Sequence, residues 1–136
     1  MKAFDRLQLI IAKRDHSVKE LTDKLSRHHE MDEINDAIAL ADEYGWMKKP
    51  EDLAEAWKRV ATRKKRGNLW LKNEMIKKGL PTHKMDPEEE IAVARELVLG
   101  KFGEAPWEQK VQGRIARFLT SRGFNFSIVS DIIFRK

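Results

Sequence analysis

An all-α fold of tandem three-helix repeats is what this sequence predicts, and three observations predict it. Apolar residues recur at helical spacing along nearly the whole chain, with no clean alternating run of the kind a strand needs. All four prolines (Pro50, Pro81, Pro87, Pro106) fall between these stripes, where a missing amide does least harm. One spacing of apolar positions, with a glycine near its turn in the later copy, returns far down the chain.

The elements follow in order. Phe4, Leu7 and Ile11 mark a first helix over about residues 3–14. Ser17-Val18-Lys19-Glu20 is a capping box that opens a second: the serine accepts from the third amide and the glutamate reaches back. Met31, Ile34, Ile38 and Ala41 mark a third, and Leu53, Ala56, Trp57, Val60 and Ala61 a fourth over 51–66. Leu71 and Met75 carry a fifth. Asp86-Pro87-Glu88-Glu89 supplies a cap, a proline at the first helical position and acids for the dipole, so Glu88-Glu89-Glu90 reads as dipole compensation. Ile91, Ala94, Val98 and Phe102 continue that sixth helix over 87–102. Val111, Ile115, Phe118 and Leu119 mark a seventh, and Asn125 can cap an eighth. Gly45, Gly67, Gly79 and Gly123 sit at expected helix ends.

Leu21, Leu25, His29, Ile34 and Ile38 are separated by steps of 4, 4, 5 and 4, and Ile115, Leu119, Gly123, Ile128 and Ile132 by the same steps. Leu71, Met75 and Gly79 begin the pattern between them, then lose it at Lys84 and Glu88. Three units are expected: 1–46, a truncated 50–85 whose third helix is shortened, and 86–136. Such units stack because none buries its apolar face alone, which implies an elongated, curved arrangement.

Composition narrows the function. The chain has 136 residues and no cysteine, so disulfides and thiolate zinc sites are excluded, and a reducing cytoplasm suits it. No membrane span is present. His16, His28, His29 and His83 have no metal-ligand spacing, and no glycine-rich phosphate loop occurs. A binding protein is expected, not an enzyme, with no cofactor, metal or catalytic residue. The charge is uneven: residues 1–62 hold 11 Lys/Arg against 13 Asp/Glu (−2), and 63–136 hold 16 against 9 (+7). A basic half suggests a polyanionic partner.

The densest basic stretch is Lys58-Arg59, Arg63-Lys64-Lys65-Arg66 and Lys72. On one helix Arg59, Arg63 and Arg66 share a face opposite Leu53, Trp57 and Val60, and Lys110, Arg114 and Arg117 repeat their +4, +3 step. Two such stripes are the footprint of phosphate contacts; the competing reading is helix solubility, with dipole pairing at 63–66. Trp57, Trp70 and Phe118 interleave with the bases. Trp57 and Phe118 lie on apolar stripes and read as core, whereas Trp70 is open to stacking on a nucleobase.

Arg14-Asp15-His16-Ser17-x-x-Glu20-Leu21-x-x-Lys24-Leu25 resembles the opening motif of the RecX family. Ala54-x-x-Trp57-x-Arg59-x-x-x-Arg63-x-x-x-Gly67, then Leu71, Glu74, Met75 and Lys78-Gly79-Leu80, resembles its middle. Lys101-Phe102-Gly103 and Arg117-Phe118-Leu119-x-x-Arg122-Gly123-Phe124 resemble its close. The likeness runs from about residue 7 to 134. Where the family often has an acidic pair before the second unit, this chain has Lys48-Lys49-Pro50, with Glu51-Asp52 following.

The resemblance implies a monomeric, non-enzymatic modulator of the RecA recombinase. It would bind the RecA–DNA filament along its groove and suppress filament growth, ATPase and strand exchange. Its partners would be RecA and DNA, single-stranded or also double-stranded. The expected filament- and nucleic-acid-binding residues are Arg59, Arg63, Lys64, Lys65, Arg66, Lys72, Lys110, Arg114, Arg117 and Arg122. The alternative is a helix-turn-helix-like DNA-binding regulator that acts without RecA, with one recognition helix and dimeric half-site reading.

Overall fold

A computed structural model describes residues 1–134; Arg135 and Lys136, counted above in the basic half, lie outside the described residues. The chain forms α1 (Ala3–Lys13), α2 (Val18–Leu25), α3 (Met31–Glu43), α4 (Pro50–Lys64), α5 (Asn68–Lys77), α6 (Pro87–Phe102), α7 (Gln109–Ser121) and α8 (Phe126–Phe134), and no strand occurs among the described residues. The order is three helices, two helices, three helices. The middle repeat keeps its first two, and residues 80–86 run without helix where the third would stand.

Contacts gather the chain into two compact units. One comprises Met1–Glu55 and Met75–Thr82; the other comprises Ala56–Glu74 and His83–Lys136. The boundaries fall inside α4 and α5, so the middle repeat contributes to both.

In the first unit α1, α2 and α3 pack on one another. Leu7, Leu21, Leu25 and Ile34 are fully buried, with Ala3, Ala37 and Ala41 between them and Phe4, Ile10, Ile11, Ile38 and Met47 at the edge. The capping box forms as expected: Ser17 Oγ accepts from the Glu20 amide at 3.1 Å, and Glu20 accepts from the Ser17 amide at 3.1 Å. The same hydroxyl donates to the Lys78 carbonyl at 2.6 Å, which ties the end of α5 to the start of α2. Arg14 closes on Glu20 at 2.6 Å. Burial alone would raise the Glu20 pKa, but the Arg14 guanidinium and the Ser17 amide outweigh it and hold the carboxyl below its ordinary value.

His16 is buried beside this box. Its Nε2 lies 2.8 Å from Lys24 Nζ, which can only donate, so the ring proton sits on Nδ1 and donates to the Arg14 carbonyl at 2.9 Å. Burial holds its pKa below the ordinary value, and the Arg14 and Lys24 charges act in the same direction. The imidazole is therefore a neutral structural link.

In the second unit α6, α7 and α8 pack on one another. Ile115, Leu119, Ile128 and Ile132, the repeated positions, are buried, as are Leu71, Met85, Val93, Ala94, Val98 and Phe124. Asn125 Oδ1 accepts from the Ile128 amide at 3.1 Å and caps α8 as expected. The ends of α4 and α7 are built alike. After α7, Phe124 donates to Leu119 O and Gly123 to Thr120 O, both at 3.1 Å; after α4, Arg66 donates to Ala61 O at 2.9 Å and Lys65 to Thr62 O at 3.2 Å. Both are Schellman caps, which place one residue in the left-handed region. At α7 that residue is Gly123 (φ 90°); at α4 it is Lys65 (φ 56°).

Gly67 is therefore not the cap of α4 that its position suggested. It serves close approach instead. Its amide donates to Arg122 O at 3.0 Å, and the Leu69 amide donates to Gly123 O at 2.9 Å. The two turns thus meet backbone to backbone. A Cβ on Gly67 would collide with the Gly123 carbonyl, and one on Gly123 would collide with Trp70.

Glu90 is also reassigned. Glu88 and Glu89 are exposed, and Glu89 reaches back to the Asp86 amide at 3.4 Å, so they fit the dipole reading. Glu90 is only 2% exposed. It accepts from the Asn68 amide at 2.7 Å and from Asn68 Nδ2 at 3.2 Å. Asn68 in turn exchanges two bonds with the Met85 backbone, at 2.9 and 2.8 Å. This polar junction anchors the extended segment that replaces the missing helix. Burial pushes the Glu90 carboxyl pKa up, against the opposing pull of the Asn68 donors.

Two outcomes follow. Gly67→Ala should cost roughly 2–4 kcal/mol, read from the denaturation midpoint, because rigid backbone lies where the methyl would go. For Glu90 the folded pKa stands above the ordinary 4.5, so its stabilising contribution is complete below that value and is lost as pH rises through the folded pKa. The stability advantage of the native chain over Glu90→Gln should therefore shrink with increasing pH above 4.5. Parallel pH profiles of the two proteins would disprove it.

Candidate nucleic-acid interface

The expected basic residues all lie in the second unit. Arg59 and Arg63 project from α4 and are exposed, as is Lys64 at its end. Arg66 does not share their face. Helix α4 stops at Lys64 and the left-handed Lys65 redirects the chain, so the +3 step from Arg63 no longer measures a helical turn. Arg66 instead places its guanidinium carbon 6.0 Å from the Trp70 ring centre, and Lys64 Nζ stands at the same 6.0 Å. Trp70 has its Cβ pressed against Gly123 and keeps its ring half-exposed beneath these cations. Lys65 turns its ammonium to Glu96 on α6 at 2.7 Å.

Arg122 follows α7. Its Nη2 donates to the Lys64 carbonyl at 2.7 Å and its Nε to the Lys65 carbonyl at 3.1 Å. The guanidinium thus satisfies carbonyls that the end of α4 leaves open. Burial and the nearby Arg66 charge lower its pKa, but an arginine stays protonated in proteins. Its guanidinium carbon also lies 5.8 Å from the Phe118 ring centre.

Phe118 meets Phe102 edge to face at 5.7 Å, with Lys101 Nζ 4.3 Å over the Phe118 ring and Arg114 5.8 Å over Phe102. Cations and rings therefore alternate in two runs, Lys64–Trp70–Arg66 and Arg122–Phe118–Lys101–Phe102–Arg114, which meet at the neighbouring charges of Arg66 and Arg122. Each cation–π contact contributes about 0.5–1 kcal/mol at an exposed site. More to the point, it holds a long side chain in place before any anion arrives. Such a surface can bind phosphates through its cations and offer a ring face to a base.

Lys72 on α5, Lys110 at the start of α7, and Arg117 are exposed and stand outside this chain of contacts. The two basic stripes also occupy non-equivalent helices: α4 is the first helix of its repeat and α7 the second of its own. Lys101 and Phe102 were legible in the sequence as a helix end and as part of the closing motif, but not as members of the binding surface. Their signal was the basic–aromatic pair itself. Among the described residues no cluster of His, Cys, Asp and Glu could hold a metal ion, and no helix is long and apolar enough to cross a membrane.

Fold and surface together define a class: a helical-repeat protein with one strongly cationic, ring-studded face. Comparison with known proteins gives the family. A model of the third three-helix domain of RecX matches residues 88–133. The regulatory protein RecX of Leptothrix cholodnii is 30% identical over 130 residues, covering 90% of this chain and 82% of that protein. RecX of Actinobacillus pleuropneumoniae serotype 5b is 30% identical over 139 residues, covering 96% and 91%. Two crystal structures share the fold: RecX from Lactobacillus salivarius (18% identity, TM-score 0.71, 96% of this chain and 91% of that one) and a further regulatory protein RecX (16%, 0.75, 98% and 72%). The chain belongs to the RecX family of regulatory proteins.

The two kinds of cation are separable. Arg122→Ala should lower stability by about 1–3 kcal/mol, since it strips a charged donor from two carbonyls, whereas Arg59→Ala should stay within about 0.5 kcal/mol. Equal midpoints for the two variants would contradict the capping role.

Proposed function

We propose that this protein binds the RecA–DNA filament and suppresses its extension, its ATPase and strand exchange, acting as a cytoplasmic monomer and by binding rather than by catalysis. The observation that carries this is the cationic, ring-bearing surface of the second unit in a chain of the RecX family. Arg59, Arg63, Lys72, Lys110 and Arg117 are exposed, and no hydrogen bond or ion pair occupies them among the described residues. These side chains supply the phosphate contacts. Lys64, Arg66 and Arg114, held over rings, supply fixed cations beside a stacking face. Lys65 and Arg122 contribute to the field while their polar groups hold the fold. The three repeats (1–46, 50–85 and 86–136) act as successive contact segments along the filament groove. A helix-turn-helix reading is less well supported, because the cations spread over α4, α5 and α7 instead of concentrating on one recognition helix.

The test is the ATPase of RecA on single-stranded DNA. Substoichiometric protein should slow it, and the triple variant Arg59→Ala, Arg63→Ala, Lys72→Ala should need a higher concentration to do so. The salt dependence of filament binding should fall by roughly one unit of slope for each phosphate contact removed. Undiminished ATPase at equimolar protein would refute the reading. Sequence-selective binding to a short duplex without RecA would favour the helix-turn-helix alternative.

A further inference from the structure

Helix α8 is the most apolar element of the chain, yet not all of it is covered. Its first residue, Phe126, is 82% exposed and its last, Phe134, is 69% exposed. Between α8 and α7 runs an open groove of about 640 Å³. Its apolar walls come from Gly113 and Ala116 on α7, Val129 and Ile133 on α8, and the two phenylalanines. The polar groups that line it, such as Gln112 and Thr120, are uncharged, and no acid lines it.

Two features say what it takes. The first is charge. Lys110 and Arg117 each follow a groove-lining residue of α7 by one position (Gln109 and Ala116), so they lie about a quarter-turn from the lining and edge the groove along one side, while Arg114 turns to Phe102. Arg117 reaches over it: a Cβ on Gly113 would stand 3.5 Å from Arg117 Nη1. The second is Gly113 itself. It lies mid-helix, where glycine is unfavourable, and that ordinary van der Waals contact is all its Cβ would meet. No neighbour demands a glycine there. What the missing side chain does is keep the groove open.

We infer that this groove docks an amphipathic helix of a protein partner, with its apolar stripe on Ala116, Val129 and Phe126 and Asp or Glu residues along the edge that meets Lys110 and Arg117. An α-helix needs a stripe of this kind, read as anchors at i, i+3, i+4 and i+7, to lie in an apolar groove. A basic rim selects an acidic edge. The groove lies apart from the ring–cation contacts assigned above to DNA, shares only its rim cations Lys110 and Arg117 with that surface, and offers no ring–cation pair for a base among the described residues.

The test uses the full chain, methyl-labelled for NMR, and a synthetic helical peptide of about 18 residues, five turns, with leucines on one stripe and glutamates along one edge. A second peptide carries lysines in place of the glutamates. Saturable shifts of the Val129 and Ile133 methyls are expected with the glutamate peptide, with at least about tenfold weaker binding of the lysine peptide. Gly113→Leu fills the groove and should abolish those shifts while leaving the thermal midpoint unchanged or higher, which separates blocking from unfolding. Equal affinity for the two peptides, or unaltered binding by Gly113→Leu, would overturn the inference. So would a dimer in sedimentation that Phe126→Ser dissolves, because the groove would then belong to a second copy. RecA ATPase inhibition is read separately, so either reading can fail alone.

Discussion

The second unit depends on one constraint: two helix-to-helix turns must touch through their backbones. Gly67 and Gly123 make this possible, and Gly67–Arg122 and Leu69–Gly123 hydrogen bonds secure it. The ring-and-cation part of the surface is set out from that contact. It presses Trp70 against Gly123, brings Arg122 to the open carbonyls of α4, and so fixes where Phe118 and its cations lie relative to Lys64 and Arg66. The surface is ordered by main-chain geometry first and by electrostatics second.

Charge on this surface is correspondingly of two kinds. Arg122 and Lys65 carry full charges but have polar duties inside the fold, to carbonyls in one case and to Glu96 in the other. Arg59, Arg63 and Lys72 stand in solvent. Lys65 is the telling case. Every other Schellman-type end with a left-handed residue, at Gly45, Gly79 and Gly123, uses glycine. An L side chain there is strained by about 1 kcal/mol. A lysine in that position keeps its ammonium on the α4–α6 flank where a glycine would leave none.

Much of the fold was legible because it is periodic. Leu21, Leu25, Ile34, Ile115, Leu119, Ile128 and Ile132 occupy repeated positions, and all are buried. Ser17, Asp86 and Asn125 are local signals read within four residues, and each begins a helix. The loss of the pattern at Lys84 and Glu88 coincides with the absence of a third helix in the middle repeat. What escaped was non-local. Glu90 and Asn68 lie 22 residues apart with no period connecting them, so the acid looked like its neighbours Glu88 and Glu89. Arg66 was placed on a helical face because nothing in Lys64-Lys65-Arg66-Gly67 says that the turn comes at the lysine and not at the glycine. Arg122 looked like a free cation, since the carbonyls it caps lie 57 and 58 positions away.

The interleaving of the two compact units has a consequence for how the chain is made. Followed from its start, the chain passes from the first unit to the second after Glu55, back at Met75, and over again at His83. No single cut separates the units. Domains generally form in order as a chain leaves the ribosome, but here the first unit lacks its closing segment, including the Lys78 carbonyl that Ser17 grips, until Thr82 has emerged. By then the parts of α4 and α5 that belong to the second unit, Ala56–Lys64 and Asn68–Glu74, are already outside and without α6, α7 and α8 to cover them. Synthesis therefore exposes the middle repeat's apolar face for as long as the last third of the chain takes to arrive. The lysines and arginines spread through that repeat lessen the hazard of that interval.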